Sequence, residues 1–98
     1  MKLTELDPSF RLYRDNALGK SDTFIEAQGI LFDCPVCKDG HKILVWFDGR
    51  NVPPQAEPSP RWRASGTGLT DLTIQPSINC NTDTNNCWHG FITNGEVT

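Results

Sequence analysis

The sequence predicts a mainly β fold: a small antiparallel sheet domain with a zinc-ribbon-like metal site and a C-terminal β-hairpin. Three observations carry this expectation. Apolar residues recur at alternate positions or in short runs bounded by Gly, Pro, Asn and Asp, the signature of strands and turns. Four cysteines stand as a Cys34-x-x-Cys37 pair and two later positions, Cys80 and Cys87. Near the end, Asn94-Gly95 separates two strand-like segments, and Asn-Gly is the preferred pair for a type I′ hairpin turn. Ninety-eight residues hold one hydrophobic core, and a core this small gains from a staple.

Taken in order, residues 1–22 are polar, with Phe10-Arg11-Leu12-Tyr13 and a turn at Gly19 as the only marks of structure. They read as an N-terminal arm, extended or helical, ahead of a single zinc-binding β-rich domain over 23–98. Phe24, Ile25, Ile30, Leu31 and Phe32 predict a strand pair, or one strand bulged at Gly29. Cys34 to Gly40 forms a tight turn. From His41 to Asp48, Ile43, Val45 and Phe47 alternate with Leu44 and Trp46, so both faces are apolar and this is the central buried strand.

Asp48 to Pro60 contains Pro53, Pro54, Pro58 and Pro60 and must be a largely extended loop; loops of this length are often functional. Arg61 to Ala64 resumes a short strand, broken by Ser65-Gly66-Thr67-Gly68. Leu72, Ile74 and Ile78 share one face of a third main strand, in which Pro76 demands an edge position or a bulge. Asn79 to Asn86 is a polar loop between cysteines, and Trp88 to Val97 is the hairpin. The total is four to six strands.

The charge of −3 argues against a protein that neutralises duplex phosphates, so nucleic acid is not an expected partner. The longest apolar run, Ile43 to Phe47, is far short of the roughly 20 residues a membrane helix needs. Met1 to Pro8 lacks the apolar stretch of a secretory signal, which points to the cytoplasm and to reduced thiols. Arg61-Trp62-Arg63 is a basic-aromatic knot able to grip an acidic partner; the plainer reading is a strand edge with a half-buried Trp.

Cysteines kept reduced read first as metal ligands. A redox pair shares the CxxC spacing, but it opens a helix at the second Cys, whereas Lys38-Asp39-Gly40 leads into a strand. Zn2+ is therefore the expected cofactor. Three ligand sets compete: all four cysteines; Cys34, Cys37 and Cys87 with His89, which lies two residues beyond Cys87 on the same strand face; or a set that includes His41. A disulfide and unliganded buried cysteines are the alternatives.

An ordered series of motifs carries a resemblance over roughly residues 24–98. It runs Cys34-Pro35-Val36-Cys37, His41 to Phe47, Arg61-Trp62, Ser65 to Leu69, Asp71 to Ile74, Pro76-Ser77-Ile78, and Cys87-Trp88-His89-Gly90-Phe91-Ile92 with Asn94-Gly95. Together these resemble short proteins of phages and prophages, a branch of a wider bacterial domain sometimes labelled ammonia monooxygenase. A membrane metallo-oxygenase would need spans that this sequence lacks. The resemblance implies Cys34, Cys37, Cys87 and His89 as ligands, with Cys80 as the alternate.

Two functions follow as expectations. The first is a zinc-stabilised phage-type accessory protein that binds a host or phage protein, with Arg61, Trp62 and Arg63 as contact candidates. The second is a zinc- or serine-dependent hydrolase. There Ser77, beside the Pro76 kink, would be activated by His41 or His89, with Asp71 or Asp33 orienting the base. No nucleophile-elbow sequence surrounds Ser77. The wider family's occurrence beside ubiquitin-like conjugation genes, which the resemblance implies, makes a peptide or isopeptide bond the substrate of that second reading.

Overall fold

Chain order and sheet order nearly coincide in this protein. The computed structural model describes residues 1–37, 41–58, 60–80 and 87–98. A 3₁₀ turn at Leu3–Leu6 precedes β1 (Ser9–Arg14), β2 (Ala17–Ser21), β3 (Gly29–Asp33) and β4 (Lys42–Phe47). β5 (Arg61–Ser65), β6 (Thr73–Asn79), β7 (His89–Thr93) and β8 (Glu96–Val97) follow. They form one sheet in the order β2-β1-β3-β4-β5-β6-β7-β8. All neighbours are antiparallel except β4 and β5, which run parallel over Trp46↔Arg61 and Phe47↔Trp62. A parallel pair needs a crossover, and the proline-rich segment between these strands provides it without a helix.

The mainly β, antiparallel expectation holds, and so does the hairpin: Asn94 and Gly95 both have positive φ, 48° and 76°. The strand count does not, because eight strands replace four to six. The surplus lies in residues 1–22, which are not an arm. β1 and β2 pair with each other and β1 with β3, joined by Asp15 and Asn16 at φ 52° and 66°, a conformation that Asp and Asn tolerate. Leu3 is fully buried, its amide bonded to the Gly95 carbonyl at 2.8 Å, while the Val97 amide bonds to the Met1 carbonyl at 2.7 Å. The start of the chain thereby covers the edge at β8.

β4 is central, as its two apolar faces require. Ile43, Val45 and Phe47 enter the core with Ile30, Phe32 and Ile74. On the other face Trp46 is buried too, stacked on Tyr13 at 5.5 Å and donating its indole N–H to the Glu57 carbonyl at 2.9 Å. The proline loop thus lies over the outer face of β4. The Arg61 guanidinium pins it through the carbonyls of Pro53 (3.2 Å), Ala56 (3.4 Å), Pro58 (2.8 Å) and Pro60 (3.2 Å).

Phe24 and Ile25 do not form a strand. They lie in a turn that buries Phe24 against Phe10 and Phe47 and leaves Ile25 86% exposed. Gly29 opens β3 without a bulge, because a Cβ there would strike the Trp46 ring and the Val45 carbonyl. Among the described residues, no helix is long and apolar enough to cross a membrane. Residues 38–40 and 81–86, which carry the expected tight turn and polar loop, lie outside the described residues.

Candidate active site and thiol cluster

Pro76 cannot donate to a ladder, and β6 accommodates it by bulging. From Ile74 to Ile78 the strand advances four residues while its partner advances two, from Ile92 to Gly90. Ile74 and Ile78 stay in the core, and Gln75, Pro76 and Ser77 are thrown to the outer face. The bulge is one of the two outcomes that Pro76 predicts. It leaves the Ser77 carbonyl without a ladder partner, and the Trp62 indole N–H supplies one at 3.1 Å.

β7 carries the complementary side chain. Gly90 and Ile92 point inward; His89, Phe91 and Thr93 point outward. Gly90 is required, because a Cβ would collide with the Thr98 carbonyl and the Trp88 indole nitrogen. His89 lies opposite Asn79 in the register, and its Nε2 reaches the Ser77 Oγ at 3.1 Å. This is hydrogen-bond distance for a nucleophile and its base. The pair is exposed to solvent on an open sheet face.

His89 is therefore not a metal ligand in this geometry. β7 begins at His89, so strand alternation does not tie Cys87, which precedes it, to the same site. Cys87 instead turns toward the β3–β4 connection. Its Sγ lies 3.0 Å from Cys34 Sγ, 3.1 Å from Cys37 Sγ and 3.3 Å from His41 Nδ1. Ligand atoms of Cys34, Cys37, His41 and Cys87 all fall within 4.8 Å of one another, a group that could hold a metal ion. No pair is at the 2.05 Å of a disulfide, and all four cysteines are free. Three thiols and an imidazole form a closed donor set of the kind structural zinc sites use. The Cys37 amide donates to Cys34 Sγ at 3.3 Å.

Cys80 sits beside this group and outside it. Its thiol donates to the Trp88 carbonyl at 3.0 Å and accepts from the Trp88 amide at 3.2 Å. Contact among the sulfurs spreads their acidities. The hydrogen bond with Cys87, then burial and Cys34, pushes Cys37 up to about 12, and burial in the first place pushes Cys80 to about 12. Burial also pushes Cys87 upward, but hydrogen bonds from the Cys34, Cys37 and Cys80 thiols outweigh it and pull this group down to about 7.

The other candidates separate. His41 belongs to the thiol cluster and does not reach Ser77 as a base. Asp33 is paired with Lys42 at 2.6 Å, and its carboxylate holds the Lys42 ammonium above the usual lysine range. Asp71 accepts from the Thr67 and Gly68 amides and the Thr67 hydroxyl, all at 2.9 Å, which holds its carboxyl below the ordinary range and fixes the Ser65–Gly68 break. Neither acid orients His89, so among the described residues the pair is a dyad. The Arg61-Trp62-Arg63 knot also divides: Arg61 holds the proline loop, Trp62 holds the Ser77 backbone, and Arg63 projects from β5.

A serine and a histidine in hydrogen-bond contact thus lie on the bulge, beside a thiol cluster. Neither a curated protein nor a solved structure matches the chain. One family profile does, over residues 5–98, and it is described as the serine protease of a bacterial ubiquitination-like system. With nearly its whole length matched, the chain belongs to the BubE family, the bacterial ubiquitination-like system serine proteases.

Proposed function

We propose that this protein is a serine hydrolase of peptide or isopeptide bonds, with Ser77 as nucleophile and His89 as its base, and that the thiol cluster holds a structural zinc ion. The observation that carries the reading is the 3.1 Å contact between Ser77 Oγ and His89 Nε2 on the exposed bulge. The family match supports the same chemistry.

Ser77 Oγ adds to the carbonyl carbon while its proton passes to His89 Nε2. The C–N bond then breaks, and the departing amine takes that proton. Water attacks the resulting ester, gives a proton to His89, and the Ser77 hydroxyl is restored as the acid leaves. Zinc, when bound, would supply a cross-link between the β3–β4 connection and Cys87. Its four protein ligands leave no open position for substrate.

A fluorophosphonate, which reacts with activated serines without needing the natural substrate, tests the pair. The wild-type protein is expected to be labelled at Ser77, Ser77→Ala not at all, and His89→Asn at least 10²-fold more slowly, in line with the usual share of a general base. A wild-type protein that resists labelling, or labelling that survives Ser77→Ala, would overturn the assignment.

A zinc-stabilised accessory protein that binds a host or phage protein is the second reading. It is favoured by the absence, among the described residues, of a carboxylate on His89 Nδ1. It leaves the Ser77–His89 contact without a role, which is why it ranks lower.

A further inference from the structure

The outer face of the sheet is organised in rows, and the row next to Ser77 and His89 has its own chemistry. Arg63 pairs with Gln75 in the β5–β6 register. Phe91 lies two residues beyond His89 on β7, pointing the same way and 52% exposed. Arg63, Gln75 and Phe91 thus lie on three adjacent strands, Gln75 two residues from Ser77 on β6 and Phe91 two from His89 on β7, about 7 Å along the regular strand β7. They line a depression of ≈ 510 Å³ together with Pro76, Asp48 and Arg61. An aromatic ring left open on a sheet face beside a nucleophile is a surface for a ligand to cover.

The charges in this depression are unequal. Arg61 and Arg63 contribute two cations against the single carboxylate of Asp48. The N–H groups of Arg61 are committed to backbone carbonyls, which use its hydrogen bonds without cancelling its charge. The Arg63 side chain makes no hydrogen bond or ion pair with a described residue, Asp48 included. In a protein of net charge −3, this is a local positive site set one row from the nucleophile.

We propose that the Arg63–Gln75–Phe91 row is a substrate subsite that receives an Asp or Glu side chain on the acyl side of the bond attacked by Ser77. The inference rests on the serine-hydrolase reading. The acyl side is a polypeptide whether the bond is a peptide or an isopeptide, so a subsite there serves both. The Arg63 guanidinium faces the incoming carboxylate, Gln75 adds an amide donor, and Phe91 covers the methylene stem. The row lies one residue pair from the point of attack, within reach of the first or second side chain before the scissile carbonyl.

Peptidyl diphenyl phosphonates test this on the whole protein, since they trap a reactive serine and carry side chains on the acyl side alone. Matched probes bear Glu, Gln or Lys at the first or the second residue before phosphorus. For the wild-type protein, a Glu probe is expected to react with Ser77 roughly tenfold faster than its Gln partner at one of the two positions, as one charge-assisted contact implies. Within Arg63→Glu the Glu preference is expected to vanish and a Lys preference to replace it. Arg63→Gln should abolish the Glu preference without creating one for Lys. Equal Glu and Gln rates in the wild-type protein, or a Glu preference that persists in Arg63→Glu, would overturn the subsite while leaving Ser77 reactive. If a plain fluorophosphonate fails to label wild-type Ser77, the hydrolase reading falls first and the subsite with it.

Discussion

Ser77 owes its position to residues remote from it in sequence. His89 reaches its hydroxyl, and Trp62 holds its carbonyl through the indole N–H at 3.1 Å. A bulged backbone carbonyl without a partner is free to rotate, and the nucleophile with it. On the proposed chemistry, Trp62 is therefore a positioning residue. Trp62→Phe keeps a ring for packing and removes the donor. Loss of one hydrogen bond of about 1 kcal/mol predicts roughly fivefold slower phosphonylation of Ser77. 3-Benzothienylalanine at this position, which keeps the indole shape without its N–H, should show the same loss with an unchanged melting temperature. Wild-type labelling rates in the benzothienyl protein would show that the indole merely fills space. The three neighbours Arg61, Trp62 and Arg63 thus have three different surroundings: loop carbonyls, the Ser77 carbonyl and an open depression.

Among the elements, the connection from β3 to β4 meets Cys87, ahead of β7, through side chains. Cys34 and Cys87 are 53 residues apart in sequence and 3.0 Å apart in space. A metal ion there would close that loop, worth roughly 4 kcal/mol on chain-entropy grounds. Stripping the protein with 1,10-phenanthroline should lower its melting temperature by roughly 15–30 °C. It should also slow Ser77 labelling well below the melt, because Cys87 stands two residues from His89. A melting curve and a labelling rate both indifferent to chelator would remove the metal cross-link. Much at this scale was legible in the sequence. Asn94-Gly95 marked its hairpin, Pro76 its bulge, and the doubly apolar run from Ile43 to Phe47 its central strand. A metal-binding group around Cys34 and Cys37 was legible from the CxxC spacing, with Cys87 favoured and Cys80 kept as the alternate; the cluster contains Cys87. The fourth member was not legible. The choice between His41 and His89 depends on where β7 starts, and strand boundaries are set by pairing partners rather than by local pattern. β1 was legible only as an extended or helical mark at Phe10-Arg11-Leu12-Tyr13, and β2 not at all: β2 is an edge strand with only Ser21 buried, so its alternation is faint.

For the molecule as a whole, the chain's start and finish are clasped. Lys2 bridges Glu96, and Leu3 and Leu6 enter the same core as Ile92 and Val97. Two buried leucines are worth about 1.5–3 kcal/mol each, so a variant lacking residues 1–7 should lose roughly 3–5 kcal/mol of unfolding free energy in urea titration. A dispensable arm would leave the midpoint where it was.

The parallel seam between β4 and β5 rests on two residue pairs, with a four-stranded antiparallel ribbon on either side. Within each ribbon and across the seam, partners lie near one another along the chain; the Lys2–Glu96 bridge and the Cys87 contacts join distant ones. Topology of this kind imposes an order of events, because long-range closures form slowest. Ser77 and His89 both belong to the later ribbon and can meet as soon as β6 and β7 pair. The thiol cluster, whose members come from both ribbons, exists only once the two have found each other. A newly made chain would bring Ser77 and His89 together before it assembles its thiol cluster.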